Sequence, residues 1–226
     1  MTAKEFLRHI PLFQHLTIED RERLAMSIRT QFLKKGEVLF RKGSEGNTLY
    51  IIRNGKIKIS LASHLSDEVV LAIFSEGDFF GEMALLDGMP RSADATAIEQ
   101  TELLLLKRLD FISFLNSNRD ALQAILQSLS QRLRRTDDLL EDTCFLNVSA
   151  RFAKKLVELA AAHGHQDGEL VHIDLSLTQR DLASMVRATR ESINKELRIL
   201  REKGLVSIQE NSIYIHDLER LKRRAR

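Results

Sequence analysis

The sequence predicts an α+β chain: an N-terminal antiparallel β barrel or sandwich, a long helix, then two short helices closed by a hairpin. Three observations carry this expectation. Between about 29 and 108, short apolar or alternating runs are separated by glycines such as Gly36, Gly43, Gly46, Gly55, Gly77 and Gly88, the pattern of many short strands joined by turns. From about 109 to 145 glycine and proline vanish and helix formers take over. After Thr178, two helical stretches are joined by a tight turn, and Gly204 follows the second, where a helix C-terminus favours glycine.

The elements follow in order. Residues 1–28 read as short helices, with Thr17 placed to cap Ile18-Glu19-Asp20, whose acidic residues suit a helix start. Asn54-Gly55, between Leu49-Tyr50-Ile51-Ile52 and Ile57-Lys58-Ile59, is a hairpin signal because both turn residues tolerate positive φ. Leu122, Leu126, Leu129, Leu133, Thr136, Leu140 and Thr143 recur in alternating steps of four and three. Such a heptad seam predicts pairing with a second copy, against the alternative of a helix packed on its own barrel. Phe145-Leu146-Asn147-Val148-Ser149 reads as a hinge, 150–162 as a helix ended by Gly164, and 163–169 as a polar loop. Helices over 179–186 and 189–203 flank the turn Val186-Arg187-Ala188, and 205–215 reads as a hairpin. The predicted domains are 1–117, 118–145 and 146–226.

A chain of 226 residues fits two domains, and a 43% hydrophobic fraction fills at least one sizeable core. The net charge of +2 hides an asymmetry: Thr178 to Arg226 holds 12 Lys/Arg against 7 Asp/Glu, while the rest is slightly acidic. A basic terminal domain on an acidic body points to nucleic acid. One cysteine, Cys144, excludes a disulfide framework, a cysteine zinc site and a Cys-ligated iron–sulfur cluster within one chain; it reads as a small packed residue. His163 and His165 read as solvated rather than metal-bound. Apolar runs such as Leu103–Leu106 are too short to span a membrane, and the N-terminal residues lack a secretory core. The expectation is a cytoplasmic protein that contacts no membrane. No catalytic constellation shows in the spacing, so no enzyme is expected.

Two stretches carry chemistry. Ile193, Leu197 and Leu200 form the buried stripe of the second short helix, and Arg190, Glu191, Asn194 and Lys195 share an arc of roughly 140° elsewhere on it. Arginine can give two parallel bonds to guanine O6 and N7, and glutamate accepts from cytosine N4. The bland alternative is a solvated Arg–Glu pair. In Phe80-Gly81-Glu82-Met83-Ala84-Leu85-Leu86-Asp87-Gly88-Met89-Pro90-Arg91-Ser92-Ala93, the glycine admits a close backbone approach and Glu82 can accept from sugar hydroxyls. Arg91 offers a planar fork for a phosphate, and Ser92 a hydroxyl. The alternative is a barrel loop held by a Glu82–Arg91 ion pair.

Leu177-Thr178-Gln179-Arg180-Asp181-Leu182-Ala183 with Thr189-Arg190-Glu191-Ser192-Ile193-Asn194-Lys195 resembles the winged helix-turn-helix of the cyclic-AMP receptor protein/FNR (CRP/FNR) family of bacterial transcription regulators. The stretch from Phe80 to Ala93 resembles the phosphate-binding cassette of cyclic-nucleotide-binding domains. The resemblance implies an N-terminal β-roll (jelly roll), a dimerisation helix and a homodimer that reads a TGTGA-like inverted repeat in double-stranded DNA. Thr178, Gln179, Thr189, Arg190, Glu191, Asn194 and Lys195 are the implied DNA contacts. The implied effector residues are Gly81, Glu82, Met83, Arg91, Ser92, Arg132, Thr136 and Asp137. Gly81 and Ser92 contact phosphate, Arg91 neutralises it and Glu82 holds the ribose 2′-OH. Thr136 and Asp137 meet the base; an ionised Asp accepts from an amine but cannot donate to O6, which favours adenine over guanine. Cyclic AMP is thus the implied allosteric effector, and Arg91→Ala is expected to abolish the response with the fold intact. RNA polymerase is an implied partner, through 163–170. Arg187 departs from the family, whose turn often has Gly there, and so must tolerate the turn geometry. The same fold sensing haem, cyclic di-GMP or a metabolite, or binding DNA constitutively, is the alternative. A cyclic-nucleotide-binding module acting on a protein partner is the third.

Overall fold

The computed structural model describes residues 3–225, apart from 9, 11, 15, 63–67, 169, 174, 176, 210 and 211. The chain is α+β, with an N-terminal antiparallel roll, a long helix and a C-terminal winged helix-turn-helix. Its contacts form two compact units. The first comprises residues up to Ala62 together with Leu71–Arg134, and the second comprises the remainder.

In the first unit, α1 (Ala3–Leu7) and α2 (Ile18–Ser27) precede the roll, and Thr17 caps α2 as its sequence predicts, accepting from Asp20 N–H at 3.1 Å. Among the described residues the strands of the roll are β1 (Arg29–Leu33), β2 (Val38–Phe40), β3 (Thr48–Asn54), β4 (Ile57–Ala62), β5 (Glu68–Phe74), β6 (Phe79–Phe80), β7 (Asp94–Ala97) and β8 (Thr101–Lys107). They make two sheets, ordered β1-β8-β3-β6 and β2-β7-β4-β5. The four leucines of β8 are explained by burial on both faces. Leu103 packs inside the roll with Ile52, Phe74 and Phe80, while Leu104 and Leu106 join a second core with Phe6, Phe13 and Phe111.

The Asn54-Gly55 signal needs correction. Gly55 takes φ +91°, and a Cβ there would meet Gln100 O at 2.5 Å. Yet β3 pairs with β8 and β6, and β4 pairs with β7. The turn carries the chain from one sheet to the other instead of closing a hairpin.

After α3 (Glu82–Asp87) and α4 (Arg108–Ser117), Asn118 starts a new helix, accepting from Ala121 N–H at 3.0 Å. This helix, α5, runs from Arg119 to Phe145. Its residues divide by burial. Ala121, Ile125 and Leu129 pack on the first unit's own core, whereas Leu126, Leu133 and Leu140 are 57%, 63% and 59% exposed. Cys144, expected to be packed, is exposed.

In the second unit, α6 (Val148–His163) begins at Asn147, whose side chain accepts from Ala150 N–H at 3.0 Å. The polar loop over 163–169 is a strand instead, β9 (Gly164–Asp167), paired with β10 (Leu170–Ile173); residue 169 lies outside the described residues. Short polar strands at a sheet edge carry no apolar alternation for a sequence pattern to detect. Gly164 is required by proximity, because a Cβ would fall 2.1 Å from Ala160 O. Then come α7 (Gln179–Val186), α8 (Arg190–Glu202), β11 (Val206–Gln209), β12 (Ser212–Ile215) and α9 (Leu218–Arg224), with the sheet ordered β11-β12-β10-β9. Gly204 ends α8 at φ +64°, as the sequence predicts. Among the described residues, no helix is long and apolar enough to cross a membrane.

Candidate functional site

A cradle of buried polar groups forms in the first unit where β6 turns into α3. Gly81 caps α3 at φ +84°, a left-handed conformation that lets the strand bend directly into the helix. A Cβ there would stand 2.5 Å from Arg91 Nη1. Gly46, which the sequence marks only as a turn residue between strands, is equally necessary. A methyl at this position would lie 2.7 Å from both Ala84 Cβ and Arg91 Nε. The Gly43-to-Asn47 loop carried the only local signal for it.

Arg91 fills the space those glycines leave. Its Nη1 donates to Gly81 O at 2.7 Å and its Nη2 to Thr48 O at 2.8 Å, with the guanidinium 4.4 Å above the Phe40 ring. The residue is 4% exposed, and its Nε is buried without a partner. Burial pulls the guanidinium below its ordinary value, opposed by Tyr50 and Glu82; an arginine stays charged through this. Arg91 thereby knits β3 to the start of α3.

Glu82 is 1% exposed. The Glu82–Arg91 ion pair of the alternative reading gives way to one with Arg132, whose Nη1 donates to Glu82 Oε1 at 2.6 Å and Nη2 to Phe79 O at 2.5 Å. Arg132 also lies 4.7 Å over Phe74. Glu82 Oε2 remains buried with no partner. The cradle therefore holds one orphaned anionic acceptor and one orphaned cationic donor, and each buried polar atom of this kind calls for a hydrogen-bond partner. A ribose hydroxyl suits the first and a phosphate oxygen the second, so the residues fit a cyclic nucleotide. Ser92, beside Arg91, donates weakly to Met83 Sδ at 3.6 Å. Gly81, Glu82, Met83, Arg91, Ser92 and Arg132 are thus brought together. Thr136 and Asp137 lie in the following turn of α5, within the second unit.

A nucleic-acid surface forms in the second unit. Thr178 and Thr189 are the N-caps of α7 and α8, and Thr178 makes a reciprocal capping box with Asp181. Ile193, Leu197 and Leu200 are buried as predicted, which turns Arg190, Glu191, Asn194 and Lys195 outward, all exposed. Arg198 and Arg201 are exposed on the same face, and the helical period applied further along α8 would have found them. Gln179 Oε1 accepts from Arg190 Nε at 3.4 Å. The Glu191 carboxyl is held below the usual carboxylate range by its own N–H at the open end of α8, then by Thr189 and Arg190. Glu191 thus stays ionised as a pure acceptor. His165 pairs across the sheet with His172, which stacks on Tyr214 at 4.6 Å. Among the described residues no three His, Cys, Asp or Glu side chains gather as a metal site.

Comparison with known proteins identifies two domain families in the chain. The model of the cyclic nucleotide-binding domain matches residues 30–118, and that of the Crp-like helix-turn-helix domain matches residues 150–224. The CRP-like cAMP-activated global transcriptional regulator of Mycobacterium tuberculosis is 33% identical over 222 residues, 98% of this chain and 99% of its own. A solved CRP/FNR-family transcriptional regulator from Thermus thermophilus is 26% identical, with a TM-score of 0.73 over 87% of this chain and 98% of its own. The c-di-GMP responsive global regulator CLP of Xanthomonas campestris shares the fold, with a TM-score of 0.77 at 24% identity over 89% of this chain and 100% of its own.

Proposed function

Because the chain belongs to the CRP/FNR family of cyclic-nucleotide-binding, DNA-binding transcription regulators, we propose that cyclic AMP is its effector and a TGTGA-like inverted repeat its DNA site. The buried, unpartnered Glu82 Oε2 beside an equally unpartnered Arg91 Nε carries the effector reading. The carboxylate accepts from a ribose 2′-OH and the guanidinium donates to the ring phosphate, with Gly81 and Ser92 completing the phosphate contacts and Met83 lining the cradle. Arg132 orients Glu82 through its bond to Oε1. Thr136 and Asp137 serve the base, where an ionised Asp137 accepts from the adenine amine and cannot donate to the guanine oxygen. The name of the Mycobacterium tuberculosis relative, cAMP-activated, supports the same choice.

The protein acts as a homodimer joined along the exposed leucines of α5, at Leu126, Leu133 and Leu140. Two copies then present two α8 helices to half-sites one duplex turn apart, about 34 Å. Arg190 reads guanine, Glu191 accepts from cytosine, and Lys195 and Asn194 add contacts to base or phosphate. Thr178, Gln179 and Thr189 lie at the helix starts that approach the backbone. The nucleotide regulates by binding the DNA-competent arrangement more tightly than the other. RNA polymerase is the partner through which bound protein alters transcription, and the cytoplasm is where these meet.

Titration calorimetry with cyclic AMP, cyclic GMP and cyclic di-GMP tests the effector. Saturable heat with cyclic AMP, weakened for its 2′-deoxy analogue, is the expected outcome. Silence toward cyclic AMP alongside binding of another nucleotide overturns the assignment.

A further inference from the structure

We propose that Arg187 is a positioning residue for DNA reading, tethering the turn before the recognition helix to the last turn of α5 through Thr143. The inference rests on α8 being the base-reading helix. Among the described residues Arg187 is the only non-glycine with positive φ, at +51°. It stands at the end of α7, where its own N–H bonds to Ala183 O and that of Ala188 reaches the same oxygen at 3.1 Å. This is the helix-ending geometry that glycine usually supplies, and an L side chain meets a steric cost there. A side chain kept in such a place points to a task that glycine could not perform.

The side chain has one. Arg187 Nη1 donates to Thr143 Oγ1 at 3.0 Å. Thr143 donates its own proton to Leu139 O at 2.7 Å, which leaves its oxygen free to accept. The surrounding junction is laced by Arg151. Its Nε donates to Val186 O at 2.9 Å, its Nη1 to Leu146 O at 2.7 Å and its Nη2 to Arg187 O at 3.4 Å. Lys154 adds a bond to Asp142 Oδ1 at 2.6 Å. The carbonyl end of α5, the first turns of α6 and the turn between α7 and α8 therefore form one bonded cluster. Arg187 supplies the tie that starts from the turn's own side chain. Two residues later Thr189 caps α8 and fixes where Arg190 and Glu191 begin. Anything that rotates this turn displaces both base readers together. Glycine would relieve the backbone and hold nothing.

The test compares the full-length protein with Arg187→Gly, Thr143→Val and the double variant, with cyclic AMP present. Affinity is read by fluorescence anisotropy on a duplex carrying a TGTGA inverted repeat and on a scrambled duplex, beside thermal melting and amide hydrogen exchange. Arg187→Gly is expected to melt no lower than wild type, because the strain is gone, yet to bind the specific duplex about three- to tenfold more weakly. Thr143→Val should show a similar loss, and the double variant no more than either single one. Amides of 187–189 should exchange faster in Thr143→Val, 44 residues distant in sequence from Arg187. Unchanged specific affinity in Arg187→Gly, or losses that multiply in the double variant, overturns the tether. Should wild type bind both duplexes equally, the DNA reading fails instead. Exchange at 187–189 then still decides the tether, and an unchanged rate in Thr143→Val sinks it.

Discussion

Replacing Arg91 with alanine should damage stability and nucleotide binding together, by amounts the geometry sets. The substitution removes two hydrogen bonds from an ionised donor, to Gly81 O at 2.7 Å and Thr48 O at 2.8 Å, and a cation 4.4 Å from Phe40. Charge-assisted bonds of this kind contribute about 1.5–3 kcal/mol each, and a desolvated cation–π contact about 1 kcal/mol. Water entering the vacated space restores part of this to the stranded carbonyls, so a net loss of about 3–5 kcal/mol is expected. For a unit of this size that corresponds to a fall in melting temperature on the order of 10 °C. Nucleotide binding loses the buried Nε donor as well, a further ~1.5–3 kcal/mol or roughly 10- to 150-fold in affinity. Arg91→Lys separates the two effects. The ammonium keeps the charge but cannot serve two carbonyls and a phosphate with a planar fork, so both losses should be intermediate. Differential scanning calorimetry reads the first quantity and titration with cyclic AMP the second. An alanine variant that melts within about 2 °C of wild type would show that Arg91 is not structural. A lysine variant with full affinity would remove the fork from the account.

Three other outcomes are expected. Leu133→Asp with Leu140→Asp, both at exposed positions of α5, should convert a dimer to a folded monomer in sedimentation; a persisting dimer would place the interface elsewhere. Arg190→Ala should cost about 1–3 kcal/mol at one base pair of the site, whereas an equal loss on every sequence would mark it as a phosphate contact. For Glu191 the folded pKa lies below the ordinary one because its own N–H bonds the charged form. Its contribution is therefore present above the unfolded pKa and disappears only as pH falls through the lower folded one. Base preference at its pair should stay flat from about pH 8 to about pH 5, and fading within that range would refute the ionised-acceptor role.

Several features were legible in the sequence because their cause is local. Thr17, Thr178 and Thr189 cap helices through bonds to residues three positions away. The stripe of Ile193, Leu197 and Leu200 follows from the helical period alone. The Gly81-to-Ser92 string carried its chemistry in residue types, and Gly81 indeed needs a conformation that side chains resist. Pairings between distant segments could not be read in this way. Asn54-Gly55 announces a positive-φ turn, but which strands flank it as partners depends on β8, about fifty residues on. Glu82 had a basic neighbour nine residues away in Arg91 and instead bonds Arg132, fifty residues away in the chain. Gly46 matters only because Ala84 and Arg91 crowd it from other elements.

The sequence alone determined where capped helices such as α2, α7 and α8 begin and which face of α8 is greasy. Periodicity and backbone preference act over a few residues, so they are written in order along the chain. Tertiary structure alone decided who neutralises Glu82, what holds Arg91 and why Arg187 endures its backbone. Those outcomes depend on which remote atoms arrive within about 3 Å, and closing such long loops leaves no mark on neighbouring residues.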